Sequence, residues 1–226
     1  MLIAESMLLL SLHDRTGRPL PGMWPHLDAA IGASLLLDLA DNDQFRLEPG
    51  RGGTSRVGAT SGTPQTGNTA LDAAAHRVST INNAFLEQAI GTASSGARED
   101  LLRQVTSLGF VYRTAGAPFL GIFPRTVWPA GGPKVQLRDG IRAALDDDAL
   151  PDAVLGQVIA VAYTAGILTA LHPAAERRLR RARTERGRTV RDELLAGKYP
   201  TTASRSLLEA ILHALDKKVH QLTPLG

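Results

Sequence analysis

The chain has 226 residues, a formal net charge of +3, 43% hydrophobic and 21% charged residues, the balance of an ordinary soluble globular protein long enough to bury a good core. It has no cysteine, which excludes disulfides, thiol catalysis and cysteine-ligated zinc and fits a reducing compartment. Aromatic residues make up only 4% while Ala, Leu, Gly and Arg dominate, so helices are favoured over a β-sandwich.

The opening MLIAESMLLLSL has the apolarity of a signal peptide but not its layout. Its one charge is Glu5, the apolar run Met7–Leu10 is short, and no small-x-small site follows. It reads as a first core helix over Ile3–Leu12, closed by the Thr16-Gly17 turn, and a cytoplasmic location is expected. A Pro-rich loop, Arg18 to Pro25, leads into a helix over Leu27–Leu39 that is apolar on most faces, and Phe45-Arg46-Leu47 alternates as a short strand does. Residues 49–68, rich in Gly, Ser, Thr and Pro, predict a loop. A helix is expected from Thr69 to Glu87, then a Gly/Ser break over Gly91–Gly96 and a helix over Ala97–Leu108 that Gly109 ends. Phe110–Arg113 and Phe119–Phe123 flank a Gly/Pro turn and predict a β-hairpin. Helical stretches at Val135–Leu145, Ala153–Leu171, 174–196 and Ser204–Val219 complete one mainly helical, all-α domain spanning 1–226, with no internal repeat.

Ala153–Leu171 is nineteen residues without a charge, and Arg177, Arg178, Arg180, Arg181, Arg183, Arg186, Arg188 and Arg191 follow within a stretch of fifteen. A membrane span needs about 20 apolar residues, and arginines beyond it would fit the positive-inside rule. Yet Ala, Gly and Thr supply nine of the segment's nineteen residues, with Gln157 and Tyr163 inside it, so insertion would be weakly driven. A helix apolar all round is also what the centre of a large helical domain requires, and a buried central helix is the expectation.

Chemistry-bearing patterns are few. The six histidines form no HExxH or other ligand spacing, the triplet Asp146-Asp147-Asp148 reads as a solvated helix end, and no GxSxG, P-loop or GxGxxG stands in the right context. No enzyme activity, metal or cofactor is implied. The arginine run could grip phosphates of nucleic acid or lipid headgroups, or be a solvated helix face. Arg177, Arg180, Arg181 and Arg188 share a rough face, and no aromatic residues interleave for base stacking. A nucleic-acid-associated protein using 177–191 and a protein-interaction scaffold therefore stand as alternatives. Trp24, alone in its loop, suits a lid over the core or a ring at headgroup level, and the apolar run 119–123 suits core, an oligomer contact or a bilayer wedge.

Several stretches, taken in order, resemble the Golgi phosphoprotein 3 family. Ala4-Glu5-Ser6-Met7-Leu8-Leu9-Leu10-Ser11-Leu12-His13-Asp14-Arg15-Thr16-Gly17 is similar to the family's EE-LLLL-L-D-x-G opening, and Leu27–Leu39 followed by Phe45-Arg46-Leu47-Glu48 to its small-residue helix and strand. Ala70-Leu71-Asp72 resembles LLDEAL, and Arg98-Glu99-Asp100-Leu101 with Leu108-Gly109-Phe110-Val111 resembles R-E-x-L then K-G-x-L. The hairpin, the central helix and the final Leu207–Leu215 helix follow in the family's order.

The resemblance implies a single helical domain, here of bacterial flavour, with 153–171 in its core. It implies a non-enzymatic peripheral membrane protein on the cytoplasmic face of a membrane, the Golgi in eukaryotic relatives. Family members recognise phosphatidylinositol 4-phosphate through a shallow basic pocket containing a tryptophan, insert an apolar hairpin, tether cytosolic tails of membrane proteins and can form homo-oligomers. Carried over, the lipid-binding residues are Trp24, Arg98, Arg15 and Arg18, and the inserting residues are Phe119, Leu120, Ile122 and Phe123. Two of three family phosphate-binding arginines are replaced, one at Ser95 and one near Gly32. With each charge-assisted contact worth roughly 1.5–3 kcal/mol, weaker phosphoinositide affinity or another anionic lipid is expected. The family's long N-terminal tail is also missing, so coat binding is not expected.

Overall fold

The computed structural model describes residues 1–13, 20, 23, 26–49, 55–59, 66–81, 83–113, 126–127, 132–171 and 177–222. Two helices are buried almost throughout: α1 (Ile3–Ser11) at every position, and α2 (His26–Asp41) at every position from 27 to 39 except Asp28. Their sequences carry Leu, Ile and Ala with little regard for face, which is why neither can lie on a surface.

A helix that begins inside a core has N–H groups with no intrahelical partner and no water to take them. Here the α1 start is closed by carboxylates. Asp38, on α2, accepts from the Ile3 and Ala4 N–H groups, each at 2.9 Å. Glu5 accepts from the Leu2 N–H and from the Asn68 side-chain amide, both at 2.9 Å. Asn68 in turn caps α3 (Thr69–Ser79), its side chain accepting from the Ala70 and Leu71 N–H groups. Asp38 and Glu5 are only 4% and 2% exposed. Burial pushes the Asp38 carboxyl up to about 7, aided by the nearby charges of Glu5 and Asp41 and opposed by its two N–H donors.

The remaining helices wrap this pair: α4 (Leu86–Ser94), α5 (Ala97–Ser107), α6 (Pro133–Asp146), α7 (Ala153–Thr164), the short α8 (Leu168–Leu171), α9 (Arg177–Leu195) and α10 (Arg205–Leu222). The mainly helical single domain expected from the sequence is what the chain forms. α4 crosses α2 so closely that a Cβ at Gly32 would lie 2.2 Å from the Ile90 carbonyl oxygen. The buried ammonium of Lys134, in the first turn of α6, donates to the Leu12 carbonyl just beyond α1.

The long apolar segment is in the core, as expected, but it is not one helix. Gly166 adopts φ +70°, and the Gly166 and Ile167 N–H groups turn back to the Tyr163 and Ala162 carbonyls at 2.9 and 3.0 Å. This is the glycine-terminated helix end in which a left-handed residue satisfies the last carbonyls. The resulting 12-residue α7 is about 18 Å long, well short of the roughly 30 Å hydrocarbon layer. Among the described residues no helix is long and apolar enough to cross a membrane. Gln157, inside this segment, is fully buried and accepts from the Thr202 hydroxyl at 2.7 Å.

Three other expectations change. Within 49–68, β2 (Ser55–Ala59) pairs antiparallel with β1 (Phe45–Pro49). β2 is fixed by its other edge, where Val57 exchanges backbone bonds with Asn83 and Ala84 at 2.9 and 3.0 Å. That pairing explains the second change: the helix expected from Thr69 to Glu87 stops at Ser79, Asn83 takes φ 63°, and α4 begins at Leu86 and runs through Gly91. The break comes at Ser95–Gly96, with Gly96 at φ 71°. Third, β3 (Tyr112–Arg113) pairs with β4 (Thr126–Val127), beyond the expected partner 119–123, which lies outside the described residues.

Folding raises the Asp38 pKa from 3.8 to about 7, so between those values the folded state holds a proton that the unfolded chain has released. Stability should therefore fall as pH rises from about 4 to about 7. Urea denaturation across that window should show the decline, and Asp38→Asn, less stable overall, should flatten it.

Candidate functional site

The α5 helix starts from the left-handed Gly96, which turns the chain so that Arg98 faces the start of α2. The Arg98 guanidinium meets Asp28 with both prongs, Nε to Oδ1 at 2.7 Å and Nη2 to Oδ2 at 2.8 Å. This is the planar fork geometry that arginine offers a carboxylate or a phosphate. Asp28 stands in the first turn of α2, where a negative charge also meets the positive end of the helix. The two side chains are 31% and 33% exposed, so water reaches the pair.

Of the residues proposed from the sequence, Arg98 is the one the described residues include. Trp24, Arg15 and Arg18 lie outside them, as do Phe119, Leu120, Ile122 and Phe123. Trp24 precedes Asp28 by four positions in the chain. Asp28 was missed by sequence reasoning, because an acid in the first turn of a helix is ordinary on its own and only the fold sets it against Arg98.

The positions of the two missing arginines differ sharply. Ser95 is exposed at the C-cap of α4, on the rim of an open hollow that also holds His76, Arg77 and Lys218. Arg77 is held there by Asp100 at 2.8 Å and the Ala93 carbonyl at 3.3 Å. The Lys218 ammonium lies against Gly91, 3.0 Å from where a Cβ would stand. Gly32 is instead pressed between α2 and α4, where even a Cβ has no room.

The arginine run splits in two. Arg183 makes two 2.7 Å bonds to Asp146, and Arg186 reaches Asp148 at 2.9 Å and the Ala144 carbonyl at 3.3 Å. The acidic triplet that reads as solvated thus supplies counter-charges to α9 through two of its three members. Arg188 pairs with Glu185 and Arg191 with Asp192, each at 2.7 Å, and the Arg191 guanidinium sits 4.9 Å over the Tyr163 ring. Glu193 is held below the usual carboxylate range by the Tyr199 hydroxyl and Lys198. Arg177, Arg178, Arg180 and Arg181 are exposed, and their guanidinium groups make no hydrogen bond or ion pair among the described residues. Among the described residues no three His, Asp or Glu side chains gather as a metal ion would require.

Fold and site together define a helical domain with a surface arginine–carboxylate clamp at the head of a buried helix. The family described as Golgi phosphoprotein 3 (GPP34) matches over residues 3–218, and the chain belongs to that family. No curated protein matches the chain.

Placing an arginine at Ser95 and at Gly32, where or near where the resemblance sets family arginines, should have opposite results. Ser95→Arg should change stability by no more than about 0.5 kcal/mol, the usual effect on an exposed surface. Gly32→Ala should cost about 1–3 kcal/mol by overpacking, and Gly32→Arg should yield no soluble folded protein, as chemical denaturation and expression yield would show.

Proposed function

We propose that this protein is a non-enzymatic peripheral membrane protein that docks on anionic phospholipid headgroups. It acts from the cytoplasmic face and serves as an adaptor for membrane-protein tails. The family's ligand is phosphatidylinositol 4-phosphate. The observation that carries this reading is the Arg98–Asp28 clamp: it ties α5 to the first turn of the helix that follows Trp24 in the chain.

Asp28 determines how that pocket works. An exposed ion pair is worth only about 0–1 kcal/mol, whereas a charge-assisted bond to a phosphate is worth roughly 1.5–3 kcal/mol. A headgroup phosphate can therefore take the guanidinium from Asp28, at the cost of separating the pair. The carboxylate acts as a placeholder that weakens binding to neutral or singly charged surfaces. Phe119, Leu120, Ile122 and Phe123 supply the apolar insertion, since stable attachment generally takes two signals.

Vesicle flotation tests this reading. Arg98→Ala should weaken binding to phosphatidylinositol 4-phosphate vesicles by about tenfold, the equivalent of one such contact. Asp28→Ala should strengthen it, and Phe119→Asp should reduce it without changing the oligomeric state measured by light scattering. Equal binding to neutral and acidic vesicles, or no response to either Arg98→Ala or Asp28→Ala, would sink the reading.

A further inference from the structure

The first turns of α9 are built against the helix's own interest. A helix N-terminus carries the positive end of the macrodipole and favours acids, yet the first turn of α9 has no acidic residue. It has Arg177, Arg178, Arg180 and Arg181 instead. Arg177 with Arg180 and Arg181, and Arg178 with Arg181, stand at the three- and four-residue spacings where like charges repel. None of the four guanidinium groups has an ion pair or hydrogen bond among the described residues, whereas each of the four later arginines, from Arg183 on, has an acidic partner. Among the described residues, acids thus answer half of the run and leave the other half bare.

The bare half also points outward. Residues advance by about 100° around a helix, and the buried Gly187, Val190 and Leu194 mark the line that faces the core. Arg177, Arg178 and Arg181 fall on the outer side, while Arg180 stands nearer the inward line and is exposed there. Leu179 lies near the inward line and is still 46% exposed, so the described residues leave this end of α9 uncovered. Arg177, Arg178 and Arg181 sit within about 6 Å along the axis and about 100° around it, a compact patch suited to a flat anionic surface whose headgroups can gather under it, with Arg180 beside it.

We propose that the first two turns of α9 are a second, electrostatic contact with an anionic lipid bilayer, separate from the Arg98 clamp. The choice of a membrane as partner rests on the reading in the preceding subsection; the uncompensated charge does not. Nucleic acid fits less well, because residues 177–182 contain no aromatic side chain on which a base could stack, and four charges fall below the six to ten or so phosphate contacts of a typical DNA-binding surface. Arginine stems can also lie along the acyl boundary while their heads stay at headgroup level.

The test uses the full chain and co-sedimentation with phosphatidylserine–phosphatidylcholine vesicles, alongside pure phosphatidylcholine vesicles. The combined Arg177→Gln, Arg178→Gln, Arg180→Gln and Arg181→Gln variant should lose affinity for the acidic vesicles by about fivefold per arginine. Because repulsion and the dipole clash disappear, its melting temperature should rise or hold; a loss caused by misfolding would lower it. The matching Arg→Lys variant should keep most of the binding, and wild-type binding should fall steeply with salt. Acidic-vesicle binding unchanged in the Gln variant overturns the proposal, even if Arg98→Ala and Phe119→Asp abolish docking. Loss in the Gln variant with no response to Arg98→Ala or Asp28→Ala supports this contact while removing the headgroup site. Wild-type retardation of duplex DNA that the Gln variant loses, with no binding to acidic vesicles, assigns the patch to nucleic acid and overturns it.

Discussion

Everything in this molecule is hung on a helix that starts in the dark. α1 has no solvent at its N-terminus, and its first N–H groups must be answered from within the protein. Asp38 answers them from the last turn of α2, which fixes α1 on α2 in both register and direction. α2 is in turn locked to α4 where Gly32 lets the Ile90 carbonyl approach. That crossing places the end of α4, the left-handed turn at Gly96 and the start of α5, and so it aims Arg98 at Asp28. The surface clamp is thus the outer end of a chain of constraints that begins with a buried carboxylate.

The two kinds of acid–base contact differ in what they can do. At the α1 start, desolvation is so strong that Asp38 is pushed toward neutrality, and no external ion can compete for its donors. At the α2 start, water reaches both Asp28 and Arg98, so the pair is weak enough to be exchanged. Along α9 the same contrast recurs on one helix. Arg183 is clasped by Asp146 and held further toward its charged form by that bond, while Arg177 and Arg178, two turns earlier, face solvent. The formal charge of +3 says nothing of this; its distribution over three helix ends says nearly all of it.

Much of the fold could be read from residue patterns, because α2, α5, α6 and α10 each carry a sustained apolar pattern between clear breakers. What failed to read was set by distant partners. β2 contains Arg, Gly and a single large apolar residue, Val57, and is a strand because β1 and the Asn83–Ala84 backbone take its two edges. The end of α3 was hidden for the same reason, since Asn83 adopts its left-handed conformation to reach that edge. Gly166 was visible, but among neighbours as small as Ala162 and Ala165 nothing distinguished a terminating glycine from one packed inside a helix. Arg98 came from the resemblance. Asp28 could not have, because its meaning lies in a contact spanning 70 positions of the chain.

On the proposed reading, that contact also shows how a headgroup pocket with fewer arginines can still work. If the resemblance sets one family arginine at Ser95 and another near the sealed Gly32, a fully charged pocket cannot be rebuilt by side-chain movement alone. The remaining arginine keeps its orientation because a carboxylate holds the fork in place when no phosphate is present. An unpaired guanidinium there would spread over its rotamers and bind with a larger ordering cost. On the proposed reading, Asp28 exchanges some affinity for a preset geometry. On the same reading the attraction forgone at the pocket has to come from elsewhere on the surface, and the first turns of α9 hold cationic charge that no described residue answers.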